Sequence, residues 1–314
     1  MEHDGKFVTV PSRHLPNGTP ISAFGIGCSS FWAKPSFPED EAIALVLRAY
    51  ALGINYFDTG PSYAGGRAET RLGLAIRQLD RGRLVISTKA GTYVDASGKQ
   101  YRSFDPSQIR ANLQESLNRL GLAHVDILYL HGPGVGDIST EVINCLSELK
   151  SAGLIRYSGV NSFDPTVLRK VVGTPIDVIM PQYNIFDIRC QQEIDALRRD
   201  GKTIISGTAL GQGIFSFRSL LPTNKKSLWY LLRALKNDPL FPLTRFRARQ
   251  RILALGRPPL EAALLFLLRA PSITCSVFGT TSITHLEENV AAVSQGAEYP
   301  KEIPIVKPQA RQQQ

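Results

Sequence analysis

Apolar residues in this chain come in short, nearly continuous runs separated by stretches with helical spacing. Eight strand-like runs stand out: residues 23–28 (AFGIGC), 53–58 (GINYFD), 84–89 (LVISTK), 125–131 (VDILYLH), 157–162 (YSGVNS), 177–184 (DVIMPQYN), 203–209 (TIISGTA) and 273–279 (ITCSVFG). Runs without strict alternation suit a parallel sheet covered by helices on its outer face. The helical stretches lie at residues 38–52, 68–79, 106–120, 139–152, 164–172, 191–199, 259–269 and from 284 onward. The first opens with Pro-Glu-Asp-Glu, acids that suit the positive end of a helix dipole. Asp105-Pro106 is a start signal and Gly121 a stop. Residues 6–22 predict a hairpin, with KFVTV, a turn at Asn17-Gly18, then Pro20 and Ile21.

Eight strand–helix repeats predict a (β/α)8 TIM barrel in a single domain spanning 1–314. The expectation adds the N-terminal β-hairpin, a long loop insertion after strand seven at 212–258 and a flexible tail at 301–314. An open doubly wound sheet is the competing fold. It has little support, because the Gly25, Gly27 run lacks the third glycine of a dinucleotide-binding turn.

No apolar stretch approaches the roughly 20 residues that cross a bilayer, and MEHDGKFVTV has no basic-then-apolar leader. The expectation is a cytoplasmic protein with no membrane contact, a monomer or weak oligomer. Cys28, Cys145, Cys190 and Cys275 are widely spaced, so reduced thiols and no metal site are expected. The net charge of +9 concentrates in residues 212–258, which hold ten Lys or Arg against Asp238. That segment reads as a solvated insertion or as a surface attracting an anionic ligand or partner. No motif accompanies it that would make nucleic acid the partner.

Four chemically capable residues close or follow consecutive strands: Asp58 and Tyr63 after the second, Lys89 after the third, His131 after the fourth. Each taken alone has an ordinary structural role as turn, packing or hydrogen-bonding residue. Together they fall at the strand ends where active sites of such barrels form. A phenol is too weak an acid near neutrality, with a pKa of about 10, but a neighbouring ammonium favours its charged form. Lys89 supplies that ammonium, Asp58 holds it, and His131 is placed to orient a carbonyl oxygen. The set suits proton transfer to a carbonyl while a cofactor delivers hydride. A metal-assisted hydrolase built on Asp58 and His131 fits poorly beside Tyr63 and Lys89.

With GINYFDTGPSYAGGRAETRLG, STKAG, LYLHGP, GVNSF, MPQYN and FGTTSITHLEENV, the chain resembles the aldo-keto reductase family from about residue 20 to 293. The resemblance implies that Asp58, Tyr63, Lys89 and His131 form a catalytic tetrad and that the hairpin plugs the barrel bottom. It implies an NAD(P)(H)-dependent oxidoreductase interconverting an aldehyde or ketone and an alcohol, with NADP(H) favoured and NAD(H) the alternative. The cofactor contacts it implies are Gly27, Cys28, Ser29, Asp58, Asn161, Ser162, Gln182, Gly207, Thr208, Ala209, Leu210, Gly211, Gly213, Gly279, Thr280, Thr281, His285, Glu288 and Asn289. The family usually reads Ser-Asn where this chain has Asn161-Ser162, and many members stack an aromatic where Gly207 stands. NADP-selective members often carry Lys and Arg at the Gly279 and His285 positions. Phe31, Trp32 and Tyr93 join Tyr63 and His131 as expected walls for a small-molecule carbonyl or alcohol. A cofactor-binding sensor without significant turnover is the alternative function.

Overall fold

All eight apolar runs become parallel strands, and their first and last members pair to close a ring. The computed structural model describes residues 9–94, 99–210 and 258–294, with the isolated positions Leu228, Leu232, Gln250 and Leu253. An antiparallel pair, β1 (Ser12–His14) and β2 (Pro20–Ser22), precedes the barrel. Its first strand lies beyond the expected KFVTV, of which only Thr9 and Val10 are described. Then come β3 (Phe24–Gly27), α1 (Glu39–Ala51), β4 (Tyr56–Asp58), α2 (Arg67–Ile76) and β5 (Val85–Ala90). A second antiparallel pair, β6 (Thr92–Val94) and β7 (Gln100–Arg102), follows β5. The chain continues through α3 (Pro106–Leu120), β8 (Val125–His131), α4 (Thr140–Ser151), β9 (Ile155–Asn161), α5 (Pro165–Val171), β10 (Val178–Met180), α6 (Gln191–Arg199) and β11 (Thr203–Ser206). It ends with α7 (Pro259–Arg269), β12 (Cys275–Phe278) and α8 (Ile283–Ser294). The insertion at 212–258 and the tail at 301–314 lie outside the described residues, apart from the isolated positions and Pro258.

The helix boundaries follow local chemistry. Asp105 caps α3 by accepting from the amides of Ser107 and Gln108, and Gly121 ends it in the left-handed region at φ 67°. Ser139 and Asp164 cap α4 and α5 in the same way.

The alternation of strand side chains sorts the core into two layers. Phe24, Ile26, Phe57, Ile86, Leu128, Leu130 and Val160 face outward and pack with the apolar faces of the helices. Tyr56, Val85, Ile127, Tyr129, Tyr157, Val178, Met180, Ile205, Cys275 and Val277 form a separate luminal cluster, joined by Leu15 and Ile21 of the hairpin region. Gly25 and Gly159 are needed there: a Cβ on either would lie 2.4–2.5 Å from the rings of Tyr56 or Tyr129. The four cysteines are buried free thiols. No helix among the described residues is long and apolar enough to cross a membrane.

Candidate active site

The same alternation decides which polar residues face the lumen at its upper rim. In β4, Tyr56 is luminal and so is Asp58; in β5, Val85, Ser87 and Lys89; in β8, Ile127, Tyr129 and His131; in β9, Tyr157, Gly159 and Asn161. The register pairs Asp58 with Ser87, Lys89 with Tyr129, and His131 with Asn161. Adjacent strands thus place an acid, an ammonium and an imidazole at one end of the barrel, where (β/α)8 enzymes build their sites.

Lys89 is 1% exposed, and its ammonium protons are shared among Asp58, Thr59 and Tyr63. Nζ lies 2.7 and 2.6 Å from Asp58 Oδ1 and Oδ2, and 2.7 Å from the carbonyl oxygen of Thr59. The two Asp58 oxygens flank one proton, which leaves another for Tyr63, and the phenol oxygen accepts it. Nζ stands 5.0 Å from the centre of the Tyr63 ring. Burial pulls the lysine pKa down, but Asp58 and then Tyr63 more than offset it, so the pKa is raised and Lys89 stays cationic. Asp58 accepts a further hydrogen bond from Ser87 Oγ at 2.7 Å. Ser87 Oγ in turn meets Tyr56 Oη at 2.9 Å, and that hydroxyl lies 3.3 Å from Tyr129 Oη. The buried charge pair therefore rests on a luminal hydrogen-bonded floor, the condition under which such a pair is tolerated.

Tyr63 comes from the irregular segment between β4 and α2. Ala64, Gly65 and Gly66 all have positive φ, at 52°, 62° and 85°. A side chain on Gly66 would also lie 2.7 Å from Arg119 Cδ. This turn sends the phenol ring back over the rim, edge-on to His131 with centroids 5.9 Å apart. Burial, with the cations Lys89 and Arg102, lowers the His131 pKa to about 3, so the imidazole is neutral near pH 7. Its Nδ1 is buried with no hydrogen-bond partner among the described residues. Placing the ring proton on Nε2 leaves only a lone pair unmatched at Nδ1, which costs less than a stranded N–H.

The residues expected to line a cofactor groove lie on the strand ends continuing round the ring. Gly27 ends β3; the backbone amide of Cys28 donates to Asp58 O at 2.7 Å, and burial raises the Cys28 thiol pKa. Ser29 N turns back to Gly27 O at 2.9 Å. Asn161 Nδ2 donates to Met180 O at 3.0 Å, and Ser162 Oγ accepts from Asp164 N at 3.3 Å. Gln182 bridges Gly207, and Thr208 takes φ 58° with its carbonyl held by Asn184 Nδ2 at 3.2 Å. Ala209 is buried and its amide donates to Val277 O at 3.1 Å, with Leu210 packed on the core. Gly211 and Gly213 lie outside the described residues. Beyond β12, a Cβ on Gly279 would meet, among the described residues, only Gly27 O, at 3.5 Å. Thr280, Thr281 and Ser282 lead into α8, where the Ser282 Oγ accepts the His285 amide at 3.3 Å. His285 and Glu288 are exposed and Asn289 is buried.

The aldo/keto reductase family model matches residues 23–303, most of the chain. The chain belongs to this family. Aldo/keto reductases are oxidoreductases that use NAD(P)H and act on small-molecule carbonyl compounds. This aldo/keto reductase is 30% identical over 299 residues to an L-galactose dehydrogenase of Arabidopsis thaliana, covering 90% of this chain and 88% of that one. It is 27% identical over 309 residues to an NADH-specific methylglyoxal reductase of Escherichia coli, covering 90% and 94%. The holo form of an aldo-keto reductase from Bacillus halodurans superposes with a TM-score of 0.71 at 25% identity, covering 94% of this chain and 93% of that one.

Of the three aromatics expected on the substrate wall, Trp32 is withdrawn into the core, while Phe31 and Tyr93 are partly exposed. Trp32 is 2% exposed in the outer core, its Nε1 donating to Ala42 O at 3.3 Å. Phe31 packs on that core, edge-on to Phe37. Tyr93 stacks on Tyr101 across the β6–β7 pair, with ring centres 5.3 Å apart. The apolar surface of Trp32 is used in packing, which sequence position alone could not separate from lining a pocket. Sequence reading also missed Glu69 and Arg119. Glu69 is fully buried, accepting from Thr88 Oγ1 at 2.5 Å and from Arg119 Nε at 2.6 Å. This contact fastens the first turn of α2, directly after the Tyr63 segment, to β5 and α3. A charged residue on the apolar face of α2 was the available signal.

Proposed function

We propose that the protein interconverts an aldehyde or ketone and an alcohol, with Tyr63 as general acid and base. The observation that carries this reading is the fully buried Lys89 ammonium, bonded on one side to Asp58 and on the other to Tyr63. A fixed cation favours the phenolate, so it makes the phenol a better proton donor to a carbonyl oxygen. Asp58 keeps Lys89 charged and aimed. His131, held neutral, donates from Nε2 to the same oxygen and orients it, without competing as an acid. In the reverse direction the Tyr63 oxygen takes the alcohol proton.

A reduced nicotinamide, when bound, supplies the hydride. The residues present fit such a group. Asn161 keeps its carbonyl oxygen and Ser162 its hydroxyl proton, a pairing of acceptor and donor suited to a carboxamide. The open backbone at Gly279 and the hydroxyl-rich start of α8 suit phosphate. NADP(H) is the favoured form, with Thr280 and His285 as holders of its extra phosphate. The NADH-linked Escherichia coli relative makes NAD(H) the competing assignment. Titration with NADPH and NADH, followed by quenching of protein fluorescence, tests the choice. Saturable binding of NADPH tighter than NADH is expected; binding of neither would overturn the oxidoreductase reading.

A further inference from the structure

We infer that Arg102 is an anion-recognising residue at the mouth of this site and that the substrate is a carbonyl compound bearing a carboxylate or phosphate. The inference rests on the reading of the site given above and names its substrate class.

Arg102 lies in β7, opposite Thr92 of β6. The base of this pair is pinned to the site: Thr92 Oγ1 donates to His131 O at 3.1 Å, and Ser103 N donates to Gly91 O at 3.2 Å. The Tyr93–Tyr101 stack stiffens it further. The guanidinium therefore has a defined place, lying over the backbone of Gly132, the residue after His131. A Cβ on Gly132 would fall 3.1 Å from Nη2 and 3.4 Å from Cζ, so glycine makes room for the cation there. Gly132 takes φ 65°. Arg102 is exposed, and no carboxylate among the described residues forms an ion pair with it.

The charge balance at the rim decides the ligand. Lys89 is neutralised by Asp58, and His131 is neutral near pH 7. Among the described residues no carboxylate balances Arg102, which brings a positive charge beside the imidazole that orients the carbonyl. Its close approach also contributes to the depressed His131 pKa. A substrate reaching past His131 meets a planar, five-donor cation matched to a carboxylate or phosphate. The anionic group takes no part in the bond changes: the carbonyl gains one hydride and one proton to become an alcohol, with oxidation of one reduced nicotinamide.

The test compares kcat/KM for two matched pairs under saturating cofactor: succinic semialdehyde against butyraldehyde, and glyceraldehyde 3-phosphate against glyceraldehyde. The wild type should prefer the charged member of at least one pair, and that pair identifies carboxylate or phosphate. Arg102→Gln should lower the charged-to-neutral ratio by about 10–100-fold, the scale of one charge-assisted hydrogen-bonding partner. Arg102→Lys should restore part of it. Cofactor titration of each variant reports that the fold is intact. Equal ratios in wild type and Arg102→Gln would overturn the assignment of Arg102. Cofactor binding without turnover of any of the four carbonyls would instead count against the oxidoreductase reading, and the substrate class would fall with it.

Discussion

Replacing Lys89 by Met removes one side chain but should produce two separable losses. The Lys89 side chain is 2% exposed and that of its partner Asp58 8%, so the substitution strands a carboxylate in the barrel lumen. Breaking a buried pair from one side costs about 3–5 kcal/mol. Ser87 still donates to Asp58, which places the expected loss near the lower end of that range. Turnover should fall by about 10²–10⁴-fold, the usual contribution of a positioned proton donor, because Tyr63 loses the cation it faces. The double variant Asp58→Asn, Lys89→Met separates the two effects. Removing the carboxylate charge should recover most of the stability without recovering turnover. Urea unfolding gives the first quantity, and kcat with a generic aldehyde at saturating cofactor gives the second. Wild-type turnover in Lys89→Met would refute the role of the ammonium. Full stability in the single variant would refute the dry ion pair.

Further consequences follow from the same contacts. Arg119→Met leaves Glu69 buried with Thr88 as its remaining partner, and should cost about 3 kcal/mol in urea unfolding; a change below about 0.5 kcal/mol would mean the clamp carries little. Gly66→Ala forces a side chain into a left-handed position against Arg119, and should cost at least about 1–2 kcal/mol and lower kcat by displacing Tyr63. The His131 pKa is lowered in the folded state, so the neutral ring favours folding above its unfolded pKa, and that contribution is lost as pH falls from about 6.5 toward about 3. His131→Gln should flatten this part of the stability–pH curve; an unchanged curve would contradict a buried neutral imidazole. Gly279→Lys has room for its Cβ and should raise the preference for NADPH over NADH in fluorescence titration.

The barrel was legible because its strand ends carry their own punctuation. Asp58, Lys89 and His131 each close an apolar run, and luminal alternation then fixes their common side. The Asp105 cap and the Gly121 stop of α3 were equally local signals. What stayed hidden depends on contacts between distant segments. Glu69 and Arg119 lie on different helices, and their pairing exists only once α2 and α3 pack side by side. The β6–β7 pair was not foreseen, because its short strands carry the polar residues Thr92, Gln100 and Arg102 rather than an apolar run. Trp32 was placed on a pocket wall from its position after β3, and a hydrogen bond to α1 puts it in the core instead. Burial of an aromatic depends on which helix covers it, and that is a tertiary fact.

The most direct test of the account is the kcat of Tyr63→Phe, measured with an aldehyde and saturating cofactor beside a titration of cofactor binding. The account predicts intact cofactor binding and a turnover lowered by about 10²–10⁴-fold. Turnover at the wild-type level in that variant would show that another group carries the proton.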